Sequence, residues 1–300
     1  MKKMKYILVL LLLATFSCTN TEEKVLHEVT VSFYPALYHN TRTTGDELYP
    51  QDVPFGVWAY SLPANEQKNN DVSSVSVFMD NEVVSFKSGN WTPSVPYHWK
   101  SDKRLTFFAY SPASIRATSS YEKGMTITDY DMNDSINLLF VRPVENVDNL
   151  YNNGCISLPF ISAFAKVNFK ARSMMMLGRT VHLKRLYLDE LAYKGTFLLK
   201  PNEHWVTTTD RMQYDFYNGD KEIGYNSMDV GTLTVMPQNL KQPVRMLVDI
   251  YDDKGKLIET DKTIESATMT HSWKPGKYYS YILNVYSDSI TFTTDMIDGL

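Results

Sequence analysis

An all-β sandwich is the fold class this sequence predicts, and three observations carry the prediction. Tyrosine occurs 20 times and aromatic residues make up 13% of the chain, a composition that suits pleated, half-buried surfaces better than helices. Apolar and polar residues alternate with period two through many short segments. No window of twelve or more residues carries an i, i+3, i+4, i+7 apolar stripe with caps at both ends.

In chain order, the first element is an address. Lys2, Lys3 and Lys5 precede an unbroken apolar run from Ile7 to Ala14, eight residues where a membrane-spanning helix needs about 20. The run ends in Thr15-Phe16-Ser17-Cys18, a small residue before a cysteine, which resembles a bacterial lipobox. Residues 1–17 are therefore expected to be a cleaved lipoprotein signal, with Cys18 acylated and residues 18–26 a polar tether. An ordinary signal peptide ending in Cys is the alternative. Loss of three lysines would take the formal charge from −4 to −7.

The first strand follows, with Val29, Val31 and Phe33 facing one way and Thr30, Ser32 and Tyr34 the other. Phe55 to Tyr60 and Leu105 to Tyr110 repeat the pattern, and Ala163 to Ala171, with Lys166, Asn168 and Lys170 between its apolar positions, is the most regular strand. Further strands are predicted at 181–188, 195–199, 233–236, 244–251, 257–260, 278–286 and 290–293. Asp252-Asp253-Lys254-Gly255 predicts a hairpin turn, and Pro275-Gly276 another turn. The polar stretches 64–71, 113–134 and 201–229 are expected to be connections, the last with room for a short helix. Turn residues cluster from Asn146 to Gly154, and a strand pattern restarts after Pro159. The expected division is thus 27–159 and 160–300, two sandwiches.

Composition and motifs exclude several functions. With 43% hydrophobic and 21% charged residues the chain folds, and 34 acidic against 30 basic residues is the wrong balance for a phosphate-neutralising surface, so nucleic acid is not an expected partner. The sequence holds no P-loop, G-x-G-x-x-G, G-x-S-x-G or HExxH motif. Six scattered histidines (His27, His39, His98, His182, His204 and His271) predict no metal centre, and Cys155 is expected to be a small core or strand-edge residue. Asp129 to Asp134 opens like a calcium loop but has Asp134 where glycine is needed and lacks the terminal glutamate, so it reads as a solvated loop. No catalytic residue and no cofactor is expected.

Several segments together resemble the fimbrillin family, the pilus and adhesin-like surface lipoproteins of Bacteroidota. They are the 29–33 strand with the Thr41-Arg42-Thr43 loop and Phe55-Gly56-Val57-Trp58-Ala59-Tyr60; Tyr97-His98-Trp99 leading into Leu105 to Tyr110; the Phe160 to Phe169 stretch with Ala165-Lys166-Val167-Asn168-Phe169; Leu233-Thr234-Val235-Met236-Pro237-Gln238; and Trp273-Lys274-Pro275-Gly276-Lys277-Tyr278-Tyr279. In this order, after a lipobox, they span nearly the whole mature chain. Members often carry His in the stretch where this chain has Ile161-Ser162-Ala163-Phe164.

The resemblance implies two tandem transthyretin-like β-sandwich domains, no enzyme activity, and export to the outer membrane by a lipid anchor. It also implies assembly with other pilus subunits once an Arg-specific protease cuts the loop after the first strand. Arg42 is the candidate cleavage site. The removable strand would carry Val29, Val31 and Phe33, and a donor strand would carry Ile290 and Phe292. The alternative is that both are permanent strands of their own domains. A competing function is a glycan-binding surface lipoprotein in which Trp91, Trp99 or Trp205 stacks on sugar rings, with a glycosidase third. A host or bacterial surface ligand fits either of the first two.

Overall fold

The structure, a computed structural model, describes residues 28–38, 47–64 and 74–299. Cys18 and Arg42 lie outside the described residues, as do the signal and tether. Among the described residues the chain is built almost wholly of strands, with two single-turn 3-10 helices at Met132–Asp134 and Tyr151–Gly154. No helix is long and apolar enough to cross a membrane.

The first core is ringed by hydrogen-bonded strands in the order Leu139–Phe140, Cys155–Ser162, Ser32–Leu37, Asn90–Thr92, Ser76–Lys87, Phe55–Pro63 and Lys103–Ser111. Leu139–Phe140 also pairs with Lys103–Ser111, so the pairing closes on itself and protects its edges. Inside lie Val31, Phe33, Phe55, Val57, Phe107, Ile156, Leu158 and Phe160, the inward positions of alternating strands. The last core is a sandwich. One sheet runs Met228–Val235, Ala165–Ser173, Lys277–Val285, Ile290–Gly299; the other runs Arg211–Ile223, Arg179–Ala192, Arg245–Asp252, Leu257–Glu265. Ala165, Val167, Phe169 and Ala171 are all buried, as their alternation predicts. Asn168, on the opposite face, is buried as well but satisfied, donating to Thr232 Oγ1 at 2.8 Å and accepting from Ser280 Oγ at 3.1 Å.

A third cluster joins the two. The strands Thr118–Ser120 and Gly124–Asp131 form a sheet with Lys194–Leu198 and His204–Thr207, and Trp58, Phe108, Phe140, Phe164, Phe197, Trp205 and Met236 pack beneath it.

Four expectations need correction. The 29–34 strand is broken at Val31, whose N–H donates to the Tyr97 carbonyl at 2.9 Å. Glu28–Thr30 thereby pairs with His98–Lys100 while Ser32–Leu37 enters the large sheet. The stretches 113–134 and 201–229 hold the strands Thr118–Ser120, Gly124–Asp131, His204–Thr207 and Arg211–Ile223 rather than being connections only. Arg211–Ile223 alternates only over its first half, where Met212, Tyr214 and Phe216 turn inward; the exposed polar run from Asn218 to Asp220 then interrupts the pattern. Ser76–Lys87, a twelve-residue strand, was not foreseen because Asp80-Asn81-Glu82, with Asn81 at a φ of +49°, splits its apolar residues into two short groups. Finally, the boundary drawn between residues 159 and 160 falls inside the strand Cys155–Ser162, whose Phe160 packs in the first core. The chain leaves that core only at Ser162–Ala165.

The Asp252 turn forms as predicted. Asp252 Oδ1 accepts from the Lys254 and Lys256 N–H groups at 2.9 and 2.8 Å, and Gly255 supplies a φ of +74°.

Candidate functional site: the first strand and the last

Ser32–Leu37 is an inner strand. On one side it pairs in parallel with Cys155–Ser162 over six residues, from Ser32↔Cys155 to Leu37↔Phe160; on the other it meets Asn90–Thr92 through Phe33↔Trp91 and Glu47–Leu48 through Ala36↔Leu48. Tyr38 N–H adds a bond to the Phe160 carbonyl at 2.8 Å.

The strand's side chains divide by face. Val31 and Phe33 are 2% and 4% exposed, whereas Tyr34 is 52% exposed. The Phe33 ring sits edge-on to Phe55 and Phe107, at centroid distances of 6.0 and 6.3 Å. Tyr49 continues this wall, with its ring 5.2 Å from Trp91 and 4.9 Å from Phe160 and its hydroxyl on Ser111 Oγ. Burial pushes the Tyr49 phenol up to about 12, so it stays neutral and hydrogen-bonded at any physiological pH. Val29 is half-buried and packs beside Gly154, whose φ of +79° and contact with Thr30 leave no space for a side chain. Without residues 28–37 this face would present the unpaired edge of Cys155–Ser162 above an aromatic trough.

The candidate donor strand lies elsewhere. Ile290–Gly299 is the edge of its sheet, antiparallel to Lys277–Val285 from Val285↔Ile290 onward. Ile290 is 2% exposed and Phe292 half-buried, and both pack on the last core; Thr291 and Thr293 are exposed. Lys170 Nζ donates to Asp295 at 2.8 Å, which raises the lysine's pKa and lowers the carboxylate's. Val29, Val31 and Phe33 on one hand, and Ile290 and Phe292 on the other, thus seat in separate cores of this chain.

The remaining chemistry-bearing residues are structural. Trp91, Trp99 and Trp205 are 8%, 0% and 8% exposed, so their rings are taken up in packing rather than presented to solvent. Each indole is spent on packing: Trp99 Nε1 donates to Lys103 O, Trp205 Nε1 to Ala163 O, and Trp91 floors the trough under Phe33. Asp131 in the calcium-like stretch caps the first 3-10 turn through Asn133 N–H at 2.9 Å and pairs with Lys194 at 3.1 Å. Among the described residues no group of His, Cys, Asp and Glu is placed to hold a metal. Cys155 is half-buried at the start of its strand and unpaired. Tyr49 and the Cys155–Ser162 rail were not singled out from sequence: an isolated loop tyrosine carries no periodic mark, and the alternation of Ile156, Leu158 and Phe160 runs through Pro159, which reads as a break.

Comparison with known proteins agrees with this architecture. A family model described as fimbrillin-like matches residues 41–298. The fimbrium subunit Fim1C of Phocaeicola vulgatus is 21% identical over an alignment covering 86% of each chain. A crystal structure of a fimbrial protein from Bacteroides vulgatus superposes with a TM-score of 0.62 at 17% identity, covering 90% of this chain and 99% of that one. The chain belongs to the fimbrillin-like family.

Proposed function

We propose that this protein is a structural or accessory subunit of a cell-surface pilus, held at the outer membrane by lipid on Cys18 until cleavage at Arg42 frees it from the lipid-bearing strand, and then assembling by strand exchange. One observation carries the reading: Ser32–Leu37 is paired on both sides and drives Val31 and Phe33 into an aromatic core, so its departure leaves both unpaired backbone and an apolar slot. Both penalties are relieved by an incoming strand with the same alternation. Ile290 and Phe292, two residues apart on an edge strand, supply that alternation from a neighbouring copy or a related subunit. The loop that would be cut lies between Ser32–Leu37 and its partner Glu47–Leu48, so a cut at Arg42 leaves the first strand held by pairing and packing alone. The same reading divides the chain into two transthyretin-like units joined at Ser162–Ala165. Membrane retention follows from acyl chains on Cys18, at about 0.8 kcal/mol per buried CH₂.

The test compares wild type, Arg42→Ala and a chain ending at Ser287, each treated with an Arg-specific protease and sized by chromatography and electron microscopy. Wild type alone is expected to multimerise. Monomers in all three arms after complete cleavage of the wild-type loop refute strand exchange. Cys18→Ala is expected to move the protein to the soluble fraction, and retention on membranes refutes the anchor.

A further inference from the structure

Beside the junction of the two cores lies a cleft of about 790 Å³, within the range of small-ligand sites. Six segments converge on it: the connection at Arg142, the end of Arg179–Ala192, the strand His204–Thr207, the start of Arg211–Ile223, the strand Asn239–Gln242, and the stretch from Ser272 to Lys277. Its charge is opposite to that of the chain, whose formal net charge is −4. Arg142, Arg211, Lys241, Lys274 and Lys277 line it against only Glu190 and Glu203.

Glu203 is taken by Arg142, at 2.6 Å. Arg211 spends its Nη1 on the carbonyls of Thr208 and Asp210 rather than on a carboxylate. Among the described residues, Lys241, Lys274 and Lys277 have no carboxylate within ion-pair distance, although lysines elsewhere, such as Lys170, Lys194 and Lys262, do. Uncompensated cations in a recess with low-dielectric walls concentrate the field toward an anion.

The rest of the lining says which anion. Asn202, Asn239, Thr207 and Ser272 offer amide and hydroxyl groups, partners for sugar hydroxyls. The Trp205 and Trp273 rings are 8% and 2% exposed, so the cleft has no open apolar pocket of the kind that reads alternate side chains of a bound peptide.

We infer that this cleft binds an anionic saccharide, one carrying carboxylate or sulfate groups, through Lys241, Lys274 and Lys277, with the amides and hydroxyls reading its neutral positions. The inference stands apart from strand exchange, because the cleft is complete in the uncut single chain. The experiment is titration of the intact protein at about 0.15 M salt with heparin, polygalacturonate, neutral dextran and polyglutamate. The variants are Lys241→Glu/Lys274→Glu and, as an equal charge change on the Asp252 hairpin, Lys254→Glu/Lys256→Glu. All four lysines are exposed, so both variants should keep the wild-type near-ultraviolet dichroism.

Heparin, polygalacturonate or both should bind and dextran should not; which polymer binds identifies sulfate or carboxylate as the recognised group. Lys241→Glu/Lys274→Glu should weaken binding about tenfold or more, from two reversed contacts of up to about 1 kcal/mol each way; Lys254→Glu/Lys256→Glu should stay within about twofold. Asn239→Ala should weaken the saccharide while leaving the response to polyglutamate unchanged. The inference is overturned if neither acidic polysaccharide binds, if the two double variants lose binding equally, or if polyglutamate binds as tightly as the saccharides.

Discussion

Replacing Phe33 with Ala removes the largest side chain that the first strand contributes to its core. The ring is 4% exposed and meets Phe55 and Phe107 edge-on, so truncation deletes a buried aromatic surface and two oriented ring contacts while the closed strand ring around it limits collapse. Large-to-small changes of this kind cost about 3–5 kcal/mol. At 1.4 kcal/mol per decade, even the lower figure raises the equilibrium opening of the strand more than about a hundredfold. Native-state hydrogen exchange reads this directly at the Ala36, Leu37 and Tyr38 amides, with urea unfolding as the global measure. Tyr34→Ala is the internal control: the neighbouring residue points to solvent at 52% exposure and its loss should cost under about 0.5 kcal/mol. A Phe33→Ala cost below about 1 kcal/mol, or an equal cost for Tyr34→Ala, would show that the strand is not held by its inward face, and the slot argument would go with it.

Three further outcomes are expected. Gly154→Ala should destabilise by about 1–3 kcal/mol in urea, because φ is +79° and a Cβ would stand 2.9 Å from the Thr30 carbonyl oxygen. Asp295, held below the usual carboxylate range chiefly by its hydrogen bond from Lys170, contributes stability that is present above about pH 4 and is lost as pH falls through its folded pKa; Lys170→Met should flatten that acid limb in a pH series of urea melts. His271, whose pKa burial lowers as it packs 5.2 Å from Tyr279, binds its proton more readily in the unfolded chain, so stability should decline as pH drops below about 6.5, and His271→Gln should remove that slope.

What the sequence disclosed tracks how each strand is buried. Ala165–Ser173 and Lys277–Val285 sit centrally, with one face on the last core, and their alternation was legible at once. Phe55–Pro63 and Lys103–Ser111 are buried on both faces, against the first core and the junction cluster, yet their small and aromatic residues still marked them as strands. Arg211–Ile223 and Ser76–Lys87 escaped because their patterns are interrupted: inward Met212, Tyr214 and Phe216 give way to an exposed polar run from Asn218 to Asp220, and Asp80-Asn81-Glu82 splits the apolar residues of the other strand. The break at Val31 escaped for a different reason. Alternation continues straight through it, from half-buried Val29 to buried Val31 and Phe33, and only the backbone partner changes from His98–Lys100 to Cys155–Ser162. Side-chain period reports which face is buried; it carries no information about which strand supplies the hydrogen bonds.

The same distinction separates the two sites. Val29, Val31, Phe33, Ile290 and Phe292 could be nominated from sequence because a strand slot is a property of consecutive residues, and alternation writes such a site locally. Composition signals an aromatic excess without saying which rings face water; Trp99, fully buried with its N–H on Lys103 O, shows that the excess was spent inside. The basic cleft has no local signature. Arg142, in a connection, and Lys277, at the start of a strand, stand 135 positions apart with no charge run around either, and a chain whose net charge is −4 gives no hint of a positive recess. Only the fold brings those cations to a common wall: Lys241 comes on Asn239–Gln242, which pairs with Met269–Ser272 just ahead of Lys274 and Lys277, while Arg142 and Arg211 arrive from other segments. A binding surface made this way can change its ligand by single exposed substitutions at Lys241 or Lys274 without disturbing either core. The slot cannot, because every residue that shapes it also holds the first core together.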